Sequence, residues 1–522
     1  MRTKGMALLI NALITTSAYA QLNSEDIQQF IVKTDRSVIS LQYPENVKEF
    51  YKTNHYNSVW INNDFNRQHL LQLLTTASSL GLQEEDYQYD FIQPFRFNLI
   101  IPPTHNDSLF AEIRFTDAAI HFFRDVAYGN RKPAIGYNGL GYLPDCFNIP
   151  VLLAAAVSEN RLDVLVKDLE PAFPSYIALK KLLIVFNQRM NDSTFKDTII
   201  TSVSVNSKNR QLSLRLYQIG IIDSPQVKYS DAALKQKVQS AQRQFNLPDD
   251  GILRKTFIEA MNLPLSARTE ELKAAMNTIR WLRCISRQSP VFVVNIPSAT
   301  LIVYKDGEVL LESKVIVGKR STPTPTLAGK ITEVVLYPYW VVPQKIATRE
   351  LLPLIRRNIG YLDANNMQVL NMNGKVVNPA NIDWHKLSPS YFPYVLRQST
   401  GCDNSLGLVK LNFYSPYGVY LHDTPWKVLF NFNKRYFSHG CIRVQKAIEL
   451  AHFLLQENTI AIDTLEEKGC LRNQSPIAVP VSEKIPVFVL YNTAWVDSAS
   501  IVQFNEDIYE KLSFRFKNAL LR

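Results

Sequence analysis

Cysteine is scarce in this chain. Its 522 residues contain only five, namely Cys146, Cys284, Cys402, Cys441 and Cys470. An odd and widely spaced set argues against a disulfide framework, and without a Cys-x-x-Cys pair it does not predict a structural zinc site. One or two disulfides are compatible with an oxidising compartment. At least one thiol must nevertheless stay unpaired within the chain.

Long apolar runs are also lacking, since none beyond the N-terminus is long and charge-free enough to span a bilayer, which takes roughly 20 residues. At the N-terminus, Arg2 and Lys4 precede the mostly apolar stretch Met6–Thr16, and Ser17–Ala20 places alanine at positions −3 and −1. This layout predicts a signal peptide over residues 1–20 and export of the mature chain. A buried N-terminal helix or an uncleaved anchor are the alternatives. No cysteine follows the cleavage site, which argues against a lipoprotein.

Acidic residues are outnumbered, with 47 Asp and Glu against 57 Lys and Arg and a formal net charge of +10. A basic chain attracts anionic partners. No dense basic patch is present and export is predicted, so nucleic acid is excluded in favour of an acidic envelope polymer, with peripheral membrane or wall association. The length, with 46% hydrophobic and 20% charged residues, excludes wholesale disorder and predicts roughly two to four domains.

Helical patterns dominate residues 21–220. A representative set with helical spacing precedes Gly81, where a helix would stop; its members are Leu70, Leu73, Leu74, Ala77 and Leu80. Nothing in this part carries obvious chemistry. We therefore interpret residues 21–220 as a helical scaffold domain.

Residues 221–268 have a different pattern. One helical face is formed by four residues spaced 4, 3 and 4 apart, which are Leu234, Val238, Ala241 and Phe245. The turn Asp249–Gly251 separates this helix from a short second helix through Phe257 and Met261. The segment resembles the three-helix peptidoglycan-binding module found in many wall enzymes, which implies glycan binding. A helical linker is the alternative.

β-Structure is predicted from residue 291 onward. Strands are expected at residues 291–296, 301–304, 309–317, 332–336, 409–413 and 485–491, with a hairpin turn at Asp306-Gly307. A helix should follow Cys441, over residues 447–455. Residues 343–405 are longer than a strand connection needs, and such a segment is often a lid or substrate loop. We therefore expect a mainly β domain over residues 269–522 with a capping loop at about 343–405.

Two of the eight histidines lie near one cysteine in sequence. His422 is followed by Asp423, and His439 and Gly440 directly precede Cys441. An imidazole beside a thiol accepts its proton or stabilises the thiolate, which would depress the thiol pKa. A glycine before the cysteine permits a tight backbone whose N–H groups can receive an oxyanion. The pattern is compatible with acyl transfer, with simple packing, or with a metal site, for which no fourth ligand is marked.

The strings Tyr-x-His-Asp-Thr-Pro (420–425) and Ser-His-Gly-Cys-x-Arg-Val (438–444) resemble the signature of the L,D-transpeptidase family. Further segments over nearly all of residues 225–505 are similar to its large multidomain periplasmic subtype. The resemblance implies an α+β multidomain fold with a mainly β catalytic domain, a three-helix peptidoglycan-binding module and a helical N-terminal scaffold. It also implies the periplasm of a double-membrane bacterium.

The resemblance assigns roles to individual residues. Cys441 would be the nucleophile and His422 the general base, oriented by the carbonyl of Asp423. Tyr420 and the N–H groups of Gly440 and Cys441 would stabilise the oxyanion. Residues expected to bind substrate are Arg443, His439, Ser438 and Asn404. No metal or cofactor is implied. Cys402 lies outside the motif, and we interpret it as incidental.

The implied reaction transfers the acyl group of a tetrapeptide stem to Cys441 with release of D-alanine. A neighbouring diaminopimelate amine then takes it, giving a 3→3 cross-link in peptidoglycan. Water as acceptor would instead make the chain an L,D-carboxypeptidase. A non-catalytic peptidoglycan-binding scaffold is the alternative from another class. A strained lactam carbonyl should trap the thiolate, so carbapenem β-lactams are expected covalent inhibitors.

Overall fold

The computed structural model describes residues 21–33, 40–96, 104–201, 209–456, 465–472 and 474–512, with single positions at 102, 205 and 462. The predicted signal peptide lies outside the described residues. The chain divides into two compact units. The first contains the described residues up to Asn130 together with Asp145–Glu170, and the second contains Arg131–Pro144 and the described residues from Pro171 onward.

The first unit is helical, as the sequence predicts for this part of the chain. The predicted helix before Gly81 begins at Asp64, where the side chain of Asn63 accepts a hydrogen bond from the N–H of Asn66. It becomes a 3₁₀ turn at Ala77–Leu80 and stops at Gly81, whose φ of 72° favours glycine. The α-helices of this unit are Ser24–Lys33, Pro44–Thr53, Asp64–Thr75, Tyr89–Arg96, His105–Tyr128, Ile149–Ser158 and Leu162–Leu169.

The second unit begins with a bundle of helices that includes the predicted three-helix module. Its helices are Pro174–Met190, Arg210–Gln218, Asp231–Gln244, Lys255–Met261 and Leu265–Gln288. The predicted apolar face of residues 234–245 is buried in a core shared with residues 173–222. Buried Arg215 reinforces this packing, because its guanidinium donates to the carbonyls of Met261 and Leu263. The boundary at residue 220 and the glycan-binding assignment stay predictions.

Strands make up most of the rest of the second unit. In chain order they are β1 Tyr137–Asn138, β2 Val291–Asn295, β3 Thr300–Lys305, β4 Glu308–Gly318, β5 Leu327–Leu336, β6 Trp340–Val341, β7 Met367–Asn371, β8 Tyr394–Gln398, β9 Val409–Phe413, β10 Leu421–His422, β11 Tyr436–Ser438, β12 Ile442–Val444, β13 Ile477–Leu490, β14 Ala494–Val496 and β15 Val502–Phe504. Every strand predicted from the alternating pattern is present. The predicted helix after Cys441 is Ala447–Leu454.

One sheet curls into a closed ring. Its strands follow the order β5-β13-β2-β3-β4-β12-β10-β9, and β9 pairs with β5 to complete the circuit. Strands β1 and β11 join at β5 and β4. Closure leaves the apolar side chains of alternate positions facing one core; they include Val294, Leu301, Val317, Leu411, Leu421, Ile442 and Val487. The opposite positions of β9, β10 and β12 are thereby left for polar side chains.

Residues 343–405, the capping segment, are folded rather than irregular. Strands β6, β8 and β7 form a separate sheet in that order. The helical pieces are Gln344–Ile346, a π-helical turn at Ala347–Leu351, Leu352–Arg357 and Tyr361–Ala364. A second core fixes them, with Leu351, Ile355, Trp384 and Leu396 among its buried members. Its role as a cap over the site stays a prediction.

Within the described residues, no helix combines the length and apolarity that crossing a bilayer requires.

Candidate active site

The register of two neighbouring strands brings the key side chains to one face. Strand β10 runs parallel to β12, with Leu421 opposite Ile442 and His422 opposite Arg443. Leu421 and Ile442 are fully buried in the core of the closed sheet. Since side chains alternate along a strand, His422 and Arg443 lie on the other face, together with Cys441 two positions before Arg443. Residues 19 positions apart in sequence therefore share one site.

The imidazole of His422 is held in one orientation and is neutral. Its Nδ1 lies 2.6 Å from the carbonyl oxygen of Asp423. A carbonyl only accepts, so Nδ1 carries the proton and Nε2 is left as the basic nitrogen. Burial, and then the cations of Arg443 and Lys410, together lower the pKa of His422 to about 3, against the opposing effect of the hydrogen bond to Asp423. The carbonyl of Asp423 thus contacts the imidazole, and its role in orienting a general base stays a prediction.

The thiol of Cys441 is protonated at neutral pH. Burial raises its pKa, outweighing the hydrogen bonds from Tyr420 and the attraction of the cations Lys410 and Arg443. The sequence-based expectation of a depressed pKa for this thiol is therefore wrong. The reason is that burial destabilises the thiolate by more than the hydrogen bonds and the nearby cations stabilise it. Cys441 and His422 are therefore both neutral groups on the same face of the sheet.

The turn before Cys441 is fixed by hydroxyl groups. Gly440 has a φ of 117°, in the region that favours glycine. Its N–H donates to Ser438 Oγ over 3.1 Å, and that hydroxyl donates to the carbonyl of Cys441 over 2.5 Å. Thr324 Oγ1 donates to the carbonyl of Gly440 and accepts from the N–H of Gly318, both over 2.8 Å. The sequence analysis did not include Thr324 among the site residues, because only the folded chain brings it to this turn.

These hydrogen bonds bear on two predicted roles. The N–H of Gly440, a predicted oxyanion donor, is bonded to Ser438, and the hydroxyl of Ser438 positions the turn. The hydroxyl of Tyr420 is hydrogen-bonded to the Cys441 thiol. Burial, and then the charge of Cys441, raise the pKa of Tyr420, so this phenol stays a donor. The oxyanion roles of these residues stay predictions.

Comparisons with known proteins identify the domain that carries this site. Residues 289–464 match the YkuD family, described as the L,D-transpeptidase catalytic domain, and residues 45–183 match the family described as Scaffold domain. Residues 289–464 form an L,D-transpeptidase catalytic domain. Sequence reasoning thus identified the family correctly, together with the fold class of a β-rich catalytic domain and an N-terminal helical scaffold.

The chain is similar to one curated protein and to several solved structures. A Haemophilus influenzae protein with the name "Putative L,D-transpeptidase" is 40% identical over 237 residues, which are 45% of this chain and 47% of that protein. The matched region thus spans about half the length of the curated relative. Among solved structures, an L,D-transpeptidase from Mycobacterium smegmatis is 19% identical and covers 38% of this chain and 58% of its own, with a TM-score of 0.18. An L,D-transpeptidase in complex with imipenem has the same values.

The L,D-transpeptidase domain has a lysine at its site that sequence reasoning did not include among the site residues. Lys410 lies in β9 directly opposite His422. Its Nζ is 4.2 Å from the ring centroid of Tyr420. Burial lowers the pKa of Lys410, while the charges of Cys441 and then Glu333 oppose that shift. The alternation of Lys410 with the buried Leu411 was visible in the sequence, but its pairing with His422 was not.

The predicted substrate residues have different surroundings. The guanidinium of Arg443 lies 5.0 Å from the ring centroid of Trp426, on the site face. His439 Nε2 is 2.9 Å from Glu350 Oε1 of the capping segment, and both side chains are partly exposed. Asn404 is fully buried and its amide donates to the carbonyls of Pro338 and Ser399. These contacts stabilise the conformation of the loop that contains Asn404. Contact between Asn404 and a substrate stays a prediction.

The carboxylate of Asp423 supports the site from behind. It accepts from the N–H of Leu408 over 3.0 Å and from the ammonium of Lys427. Because the carbonyl of the same residue holds His422, these bonds fix the imidazole indirectly. Within the described residues, no group of three or more His, Cys, Asp and Glu side chains is arranged to hold a metal ion.

Proposed function

We propose that this chain is an exported, periplasmic cell-wall L,D-transpeptidase that forms 3→3 cross-links between peptidoglycan stem peptides through a thioester on Cys441. The observation that carries the proposal is the common face of Cys441, His422 and Tyr420 beside two cationic side chains. A thiol, a neutral base and a phenol donor are the groups that acyl transfer needs.

In the first half-reaction, Nε2 of His422 takes the Cys441 proton as sulfur attacks the carbonyl at the L-centre of the donor's diaminopimelate. The tetrahedral oxyanion accepts hydrogen bonds from the Tyr420 hydroxyl and backbone N–H groups of the turn. As the intermediate collapses, the C–N bond to D-alanine breaks and the imidazolium returns the proton to the leaving amine. The peptide bond energy is retained in the thioester, so ATP is not required.

In the second half-reaction, a side-chain amine of a neighbouring diaminopimelate attacks the thioester. His422 takes the amine proton and the C–S bond breaks, which restores the thiol. The cations Arg443 and Lys410 favour a donor rich in carboxylates, and a carboxylate at Arg443 would relieve part of the repulsion that lowers the His422 pKa. Binding of the stem peptide would therefore make His422 more basic when it is needed.

Several further properties belong to this proposal. The helices of residues 221–268 would bind glycan, and the capping segment would cover the donor and exclude water in favour of the amine. Carbapenem β-lactams would acylate Cys441, because a strained lactam carbonyl is open to the same attack. The solved relative in complex with imipenem is in line with this expectation.

The test is mass spectrometry of muropeptides after incubating the mature chain with sacculi rich in tetrapeptides. Tripeptide-linked dimers, absent with Cys441→Ala, are the expected result. Tripeptide monomers alone would replace the proposal with an L,D-carboxypeptidase. Unchanged muropeptides, from a protein that still acylates with meropenem, would refute activity on this substrate, and no acylation either would favour a non-catalytic scaffold.

A further inference from the structure

Two cysteines outside the active site lie side by side. Cys402 belongs to the last residues of the capping segment, and Cys470 follows the short helix Leu465–Lys468. Both are exposed and neither is disulfide-bonded. Their thiols are within hydrogen-bonding reach of each other. Although 68 positions separate them in the sequence, the fold thus makes them neighbours.

Contacts on both sides of the pair hold the two segments together. The N–H of Gln474 donates to Thr400 Oγ1 over 2.8 Å. The guanidinium of Arg472 lies 3.5 Å from the carboxylate of Asp403. Thr400 lies two residues before Cys402, and Asp403 directly follows Cys402. The proximity of the thiols is therefore supported by the backbone and by neighbouring side chains.

The loop around Cys402 is the base of the capping segment. Asn404 Nδ2 donates to the carbonyl of Pro338 over 3.1 Å and to that of Ser399 over 2.8 Å. Pro338 precedes the capping segment, and Ser399 lies near its end. The Asn404 amide thus ties together the two chain ends that connect this segment to the closed sheet. A covalent bond at Cys402 would anchor this base to residues 465–474.

We propose that Cys402 and Cys470 are a redox pair that forms a reversible intramolecular disulfide anchoring the base of the capping segment. The two thiols give up two protons and two electrons to a disulfide oxidant, either a small-molecule disulfide or an oxidised protein dithiol, which becomes two thiols. An S–S bond forms between the cysteines, and a dithiol reductant reverses the step. This replaces the interpretation of Cys402 as incidental, and it does not depend on the proposed function.

The pair is chemically distinct from the nucleophile. Cys441 is mostly buried on the site face and is hydrogen-bonded to Tyr420, whereas Cys402 and Cys470 are exposed to solvent. Thiol exchange requires access to an oxidant, so the exposed pair should react first. Oxidation would consume two thiols and leave Cys441 free for chemistry.

The test treats the full chain with oxidised glutathione and maps its peptides without reduction. The expected result is a new cross-linked peptide pair containing residues 402 and 470, lighter by two hydrogen atoms, formed only after oxidation and reversed by dithiothreitol. Cys402→Ser and Cys470→Ser should each abolish it, and Cys441→Ala should keep it. Glutathione adducts on both cysteines without a cross-link, or a cross-link from either one to Cys441, would overturn the proposal.

A second measurement tests what the bond does. The oxidised wild-type chain should resist proteolysis within the capping segment for longer than the reduced chain, because the base of that segment is pinned. Cys470 is exposed and is not a member of the core of the capping segment, so Cys470→Ser provides the matched control. It should show the same cleavage rate under oxidising and reducing conditions. Equal cleavage rates for oxidised and reduced wild type would remove the anchoring role.

Discussion

The neutral state of His422 leads to a pH dependence that differs from that of a solvent-exposed histidine base. With a pKa of about 3, about 99% of His422 is neutral at pH 5, whereas the ordinary pKa of about 6.5 would leave about 3%. The raised pKa of Cys441 also keeps the thiol protonated over this range. Both partners thus keep the form needed for general-base attack. We expect the second-order rate of carbapenem acylation to stay within about twofold between pH 5 and pH 7.5.

The assay follows opening of the lactam ring by absorbance and counts the adduct on Cys441 by mass spectrometry. His422→Gln should slow acylation at every pH without introducing a new midpoint, because no other group takes its role. A loss of about 30-fold between pH 7.5 and pH 5 with a midpoint near 6.5 would refute the reasoning, since it would mean that an ordinary histidine controls the rate. The same loss in the His422→Gln variant would assign it to another group.

Two further substitutions test the surroundings of the pair. Lys410→Met should move the alkaline rise in the rate of Cys441 alkylation by iodoacetamide to higher pH, because Lys410 stabilises the thiolate. Lys410→Arg keeps the charge and should restore the original pH profile. Equal pH profiles for wild type and both variants would contradict this role. Thr324→Val should lower the free energy of unfolding in urea by about 1–3 kcal/mol and slow carbapenem acylation, because the N–H of Gly318 and the carbonyl of Gly440 lose their hydrogen-bond partner. Thr324→Ser keeps the hydroxyl and serves as the control. Similar losses in both variants would refute the hydrogen-bond explanation.

The sequence predicted the parts of this protein that depend on local patterns. The alternation of residues 409–413 and the helical spacing of residues 234–245 reflect which side chains are buried, so strands and helices followed directly. Cys441 and His422 were found because their neighbours form a specific string. In contrast, the sequence did not predict the core of the capping segment. Its members, such as Leu351, Trp384 and Leu396, are dispersed and become a cluster only in the folded chain.

Register and burial could not be predicted from the same patterns. Lys410 faces His422 because β9 pairs with β10 at one particular offset, and that offset depends on the whole closed sheet. The sign of the Cys441 pKa shift depends on how much water the fold removes, which no string of residues specifies. The sequence therefore predicted Cys441 as the nucleophile and His422 as its base, and the structure adds that both groups are neutral.

That revision changes how activation of the enzyme domain is understood. Burial favours neutral forms of both Cys441 and His422, while Lys410 and Arg443 stabilise a thiolate and oppose an imidazolium. In a proton transfer from Cys441 to His422, these cations therefore stabilise the thiolate that forms and destabilise the imidazolium. A carboxylate bound near Arg443 would weaken the effect of that cation on the imidazolium of His422, because the two charges offset each other. If the proposed function is correct, the charge of the substrate and the basicity of His422 are coupled through the side chains on this strand face.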